Sequence, residues 1–270
     1  MRKRLLPILI LSLTTLFLTG CVKKSIDTAK LSDLEKLSTH TISQGSAAVS
    51  SIRLQALRDT AMTIGAQAGL ADRAKQLNLT LETRIQHLNQ VFNFDGMMLP
   101  HNVLPPVLVE GRDSLNLATE DSIRIADMTY KIESQARFVT TAPTWRTYLW
   151  MDYKKPPIPD PSLLPKNKDE RDIWKRYVDK GWRQGKEQAD AIFRENLARL
   201  KRDYNGMILY RKLLAQNIVS APFVAKTNLG VTGGGSNIRV NDQVLRITAL
   251  PTLQADSKRW KPAFSKQTDR

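Results

Sequence analysis

The spacing of apolar positions changes along this chain, and each change marks an element. Leu5 to Leu18 form one apolar run behind Arg2, Lys3 and Arg4. As a helix it would be roughly 21 Å long, too short for a hydrocarbon core of about 30 Å. Residues 22–45 are rich in Lys, Ser, Thr and Asp, with only a weak helical echo at Leu31, Leu34 and Leu37, and read as a tether. From Ser46 to Phe92 apolar residues recur at threes and fours, first Ile52, Leu57, Ala61, Ile64 and Ala68, then Leu77, Leu81, Ile85 and Leu88. Gly69 and Asp72 suggest a joint, so 46–96 reads as an N-terminal helical hairpin closed by Asp95-Gly96. After Pro100, Pro105 and Pro106 the period falls toward two: Ile123 and Ile125, then Tyr130 and Ile132, alternate with polar residues, as in short strands.

A segment dense in proline and aromatics follows from Pro143 to Pro165. It has room for a turn or two of helix around Trp145–Trp150 and is otherwise extended, because Pro fixes φ and disfavours helix before it. Asn167 with Glu170 three residues on is a helix-start signal. The apolar stripe behind it runs through Trp174, Val178, Trp182, Ala189, Leu197 and Leu200 to Tyr204. That predicts a helix of about 55 Å, which Asn205-Gly206 ends or kinks, with a further helical turn or three beyond. Gly181 and Gly185 either bend it or admit a close neighbour. Farther on, Leu229-Gly-Val leads into a glycine turn. Asn241-Asp242 between Ile238–Val240 and Val244–Ile247 reads as a tight hairpin. The fold class is therefore α+β: a predominantly helical domain with a long central helix and a small antiparallel sheet.

The single cysteine changes the picture most. Leu18-Thr19-Gly20-Cys21 closes the first apolar run and matches a bacterial lipobox, with cleavage between Gly20 and Cys21 and lipid attachment at Cys21. Two or three acyl chains give a stable anchor where one is marginal. The alternatives are an ordinary secretory signal with a chance cysteine, or an uncleaved anchor. Val22 follows where an Asp would favour the inner membrane, so the expected location is the outer membrane, with the body in the periplasm. An acylated Cys21 leaves no thiol for a disulfide. Loss of Arg2, Lys3 and Arg4 takes the formal charge from +15 to +12, a field suited to anionic membrane surface or acidic partners. No nucleic-acid module is recognisable, and no direct nucleic-acid binding is expected.

Catalytic constellations are sparse. The glycine run from Gly230 lacks the lysine of a phosphate loop and leads into a strand. His40, His87 and His101 lack zinc-site spacing, and there is no GxSxG. Glu110, Asp113, Glu120 and Asp121 read as solvated loop charges. No enzyme activity, metal or cofactor is expected beyond the covalent lipid on Cys21. Trp145, Tyr148, Trp150 and Tyr153 are either part of a packed lid or a partner surface, since aromatic residues dominate interface hot spots.

Three strings carry a family resemblance: Ala136–Trp150, Asn196–Arg211 and Leu229–Gly235. Over roughly residues 100–264 the chain resembles the DotC family of type IVB (Dot/Icm-type) secretion systems and its conjugation counterpart, the TraI lipoprotein of IncI-type plasmids. The resemblance implies an outer-membrane lipoprotein of the core complex. It further implies a ring-type, multi-subunit assembly in which a DotD-like lipoprotein and this chain place a DotH-like protein at the outer membrane. It brings no catalytic residues. The expected organisation is a signal peptide (1–20), a lipidated tether (21–45), the helical hairpin (46–96), a DotC-like α+β core (97–264) and a basic tail (265–270). The rival reading is a periplasmic enzyme or ligand carrier at the cell envelope, for example one acting on peptidoglycan.

Overall fold

The computed structural model describes residues 28, 30–38, 51–119 and 122–262. Cys21, the Gly20–Cys21 bond and the tail 265–270 lie outside them. In chain order, α1 (Leu31–Glu35), α2 (Ser51–Glu82) and α3 (Ile85–Val91) precede the strands β1 (Val103–Leu104), β2 (Val107–Thr119), β3 (Ser122–Ser134) and β4 (Arg137–Phe138). Then come α4 (Trp145–Leu149), α5 (Lys168–Ala215), β5 (Phe223–Gly234) and β6 (Asn237–Ala249). The fold is α+β, dominated by α2 and α5.

These two helices lie side by side and point the same way. Arg53 meets Glu170 at 2.7 Å near their starts, and Arg73 meets Asp190 at 2.8 Å five turns on, both across 117 residues of sequence. A parallel pair needs a crossover, and residues 83–167 supply it. The expected joint at Gly69–Asp72 is thus corrected: α2 is one unbroken helix, and its main partner is α5 rather than a following helix. A glycine costs only about 1 kcal/mol inside a helix, and here the missing Cβ has a purpose. Gly65 and Gly69 face Gly181 and Gly185. A Cβ on Gly69 would fall on the Trp182 carbonyl oxygen, and one on Gly185 on that of Ala66. Four glycines, one turn apart on each helix, let the two backbones touch.

The start of α5 follows the sequence signal. Asn167 Oδ1 accepts the Glu170 backbone N–H at 2.8 Å. The Glu170 carboxylate reaches back to the Lys166 N–H at 2.8 Å and takes both Arg53 bonds. Its far end departs from expectation. The helix passes through Asn205-Gly206 without a break and has 48 residues, roughly 72 Å. Gly206 makes room for β2, since a Cβ there would sit 2.7 Å from the Leu108 carbonyl oxygen.

The core is strung along α5 in three clusters. Trp174, Val178 and Trp182 pack against Leu57, Ala61, Ile64 and Ala68 of α2 and Leu34 of α1. Trp174 Nε1 donates to the Leu34 carbonyl at 2.9 Å. Leu200 and Met207 pack against Leu81, Phe94, Val107, Trp145 and Leu149. Tyr210 and Leu213 pack against Leu108, Ile218 and Val219.

Strands make three separate two-stranded antiparallel sheets: β1 with β4, β2 with β3, and β5 with β6. The small sheet of the expectation is thus split into ribbons, and the strands of β2–β3 have 13 residues each instead of being short. The C-terminal hairpin turns at Gly235-Ser236 rather than Asn241-Asp242, because Gly234 pairs with Asn237 and Gly235 supplies the positive φ (64°). Asn241 does adopt positive φ (57°), but within the strand, beside the register shift near Gly230.

Candidate functional site

The aromatic–proline segment and the two long ribbons hold the residues a partner would meet. Thr144 caps α4, exchanging bonds with Thr147. That places Trp145 inward: it is 1% exposed, and its Nε1 donates to Asn89 Oδ1 at 2.7 Å. One turn on, the Tyr148 hydroxyl donates to Asp203 Oδ2 at 3.1 Å, its ring stacked 5.8 Å from that of Phe94. Burial first, then the Asp203 charge, push its phenol up to about 12. Arg146 covers Trp145 and Trp150, 4.6 Å and 5.3 Å from their ring centres. The segment is then fastened to α2 by Asn78, whose side chain donates to the Met151 carbonyl at 2.7 Å and accepts its N–H at 3.3 Å. A buried amide that satisfies both backbone groups replaces the ladder bonds an extended strand would have.

Of the four aromatic candidates, Trp145 is buried and Tyr148 half-buried within the packed lid. Trp150 and Tyr153 remain exposed at 40% and 37%. They line an open groove of about 470 Å³ against Asp72, Lys75, Leu79 and Glu82 of α2.

Among the described residues the ribbons also expose many aliphatic side chains; the sequence pattern showed strands there without showing this exposure. In β2–β3, Leu115 pairs across the ribbon with Ile125, and both are about 70% exposed. In β5–β6, Leu229, Val231, Ile238 and Val240 are all exposed. Among the described residues β2–β3 is packed at its root, where Leu108, Tyr130 and Ile132 sit on Tyr210 and Leu213 of α5. The signal for this was present in i, i+2 aliphatic pairs such as Ile123 and Ile125.

The other sequence candidates are not drawn together. Glu110 and Asp113 lie on β2, where Glu110 Oε1 accepts from Arg112 at 3.0 Å; Glu120 and Asp121 fall outside the described residues, as do His40 and Cys21. His87 is on α3, and His101 precedes β1 at positive φ (64°). Among the described residues no three His, Cys, Asp or Glu side chains are grouped to hold a metal. The glycine run leads through a turn into β6, with no helix N-terminus for a phosphate.

A family model described as type IV secretory system, conjugal DNA-protein transfer, matches residues 51–262. The chain belongs to this TraI-like family of conjugal type IV secretion proteins. The match begins with α2 and extends past β6, so it takes in the glycine-locked helices, the aromatic lid and both ribbons. A comparison with curated proteins finds no match. Membership of a type IV secretory system implies work within a multi-subunit assembly. Among the described residues no helix is long and apolar enough to cross a membrane.

Proposed function

We propose that this chain is an outer-membrane lipoprotein subunit of the conjugal transfer core, held by acyl chains on Cys21. Its body, with a DotD-like lipoprotein, positions a DotH-like protein at the outer membrane. The observation that supports this reading is a contrast within a family member: the described body has no membrane-crossing helix, yet the sequence carries a lipobox ending at Cys21. The role is structural rather than catalytic. Lipid supplies residence at the membrane, and the folded body supplies interfaces whose avidity grows with copy number.

The test is Cys21→Ser in cells carrying the whole system, followed by membrane fractionation. The DotH-like protein should leave the outer-membrane fraction and transfer should fall with it. Retention of that protein at the outer membrane, with transfer intact, would falsify the reading. The enzyme alternative predicts something different, a single indispensable carboxylate, Ser or His whose loss leaves partner localisation untouched.

A further inference from the structure

Residues 21–45 read as a tether from their composition, but the body holds part of them. Leu34 and Leu37 are buried against α2 and α5, Trp174 Nε1 donates to the Leu34 carbonyl, and Thr28 is only 7% exposed. Thr28 stands seven residues after Cys21, a stretch that spans at most about 25 Å when fully extended. With 48 residues, α5 alone is roughly 72 Å long. So short a tether cannot reach around the molecule. Whatever lies beside Thr28 stays close to the residue proposed to carry the acyl chains.

What lies there is the open groove of about 470 Å³. Lys30, two residues after Thr28, lines it together with Lys75 and Leu79 of α2 and Trp150 and Tyr153 of the aromatic segment. Leu79 is 54% exposed, so three large apolar bodies meet water at this place. Asn78 bonds both backbone groups of Met151 and so holds Trp150 and Tyr153 at a fixed place against α2. Trp and Tyr, apolar at one end and polar at the other, settle at the headgroup level of a bilayer. A lysine there lays its stem along apolar surface while its ammonium reaches a phosphate. Lys30, Lys75 and Lys155 are balanced by Asp72, Glu82 and Asp152, and a zwitterionic headgroup itself carries both signs.

We propose that this groove is the face by which the body rests on the bilayer. Its lysines meet the phosphate of a phospholipid headgroup, and Trp150 and Tyr153 sit at headgroup level. Given the acyl chains proposed for Cys21, on which this contact rests, the anchor brings the groove to the surface. The groove in turn fixes which side of the body faces the membrane, where a tether alone would let it turn. A contact of this size is weak by itself and is sustained by the high effective concentration that the anchor maintains.

Quenching of tryptophan emission by bilayer bromines tests this on the full-length chain purified from cell membranes. The chain is reconstituted into vesicles of phosphatidylethanolamine and phosphatidylcholine with brominated acyl chains, and flotation shows whether it resides on them. Trp145, Trp174 and Trp182 are buried, whereas Trp150 and Trp260 are about 40% exposed. Bromines should quench about one fifth of the emission, one tryptophan of five. Trp150→Phe should abolish that loss, and Trp260→Phe should keep it. Lys30→Glu with Lys75→Glu should reduce the quenching at least about twofold, because carboxylates would then face the phosphate. Circular dichroism like the parent's shows that each variant is folded. If the chain floats and Trp150 is not quenched, the groove is turned away from the bilayer, and the proposal fails with the lipid anchor intact. It fails too if the lysine reversal changes nothing. A chain that does not float at all removes the anchor, and the groove contact with it.

Discussion

The helical pair and the ribbons solve opposite problems with the same kinds of residue. Where α2 and α5 cross, the apolar side chains are covered, the backbones touch at four glycines, and Arg53–Glu170 and Arg73–Asp190 pair across them. Among the described residues the ribbons hold most of their aliphatic side chains in water, and β2–β3 joins the core at its root. A subunit built this way keeps its shape while alone and leaves its unmet contacts for an assembly. The difference predicts that substitutions in the helices act on folding, whereas substitutions in the ribbons act on association.

The strongest challenge to that division is Gly185→Val. The new side chain would fall on the Ala66 carbonyl, part of a backbone that cannot rotate away, so the helices must separate. Overpacking a core costs about 1–3 kcal/mol even where side chains yield. With a main-chain obstacle the loss should reach at least about 3 kcal/mol of a total near 5–15. Urea denaturation followed by circular dichroism measures it, and a midpoint unchanged from the parent would mean that the close crossing is not what holds the pair.

A smaller effect, confined to acid, should come from Glu170. The Arg53 hydrogen bonds, then the Lys166 N–H, hold its carboxyl below the ordinary glutamate value of about 4.3 despite burial. A depressed folded pKa contributes stability that is fully present above about 4.3 and lost as pH falls below it. Arg53→Ala should cost about 2–3 kcal/mol near neutral pH, because it leaves a carboxylate buried with backbone partners only. It should also flatten the acid limb of the stability curve. Arg73→Ala, at the more exposed pair with Asp190, should cost under about 1 kcal/mol. Equal costs at the two sites would show that burial of Glu170 does not set the strength of its pair.

Much of the helical half was readable in the residue order because its signals are local. Asn167 and Glu170 announce the start of α5, and its apolar stripe is regular through Trp174, Val178 and Trp182. Its continuation past Gly206 was not readable, since whether a glycine breaks a helix depends on what lies against it, and here β2 does. The same holds for Gly69, which reads as a joint until Gly181 and Gly185 are placed opposite. The parallel course of α2 and α5 is a long-range fact joining residues 117 apart. For the site, the aromatic string was visible, but Trp145 and Trp150 are alike in sequence. Only Thr144 capping α4 and Asn78 pinning Met151 turn one inward and leave the other out.

The least effect on folding and a large one on transfer should come from Leu115→Ser with Ile125→Ser. These residues face each other across the distal part of β2–β3 and already lie about 70% in water. Their removal forfeits only a cross-strand pair, under about 1 kcal/mol, and thermal melting should barely move. Burial of two such side chains by another subunit would contribute about 3 kcal/mol or more, equivalent to at least about a hundredfold in affinity. Transfer frequency between cells, measured beside the melting temperature, separates the two quantities. Unchanged melting with transfer strongly reduced is the expected pair of results. If melting falls as far as in Gly185→Val, the ribbon is part of the folding core; if transfer persists, its exposed face has no partner that matters. Either result would erase the division between a half that holds itself together and a half that waits for its neighbours.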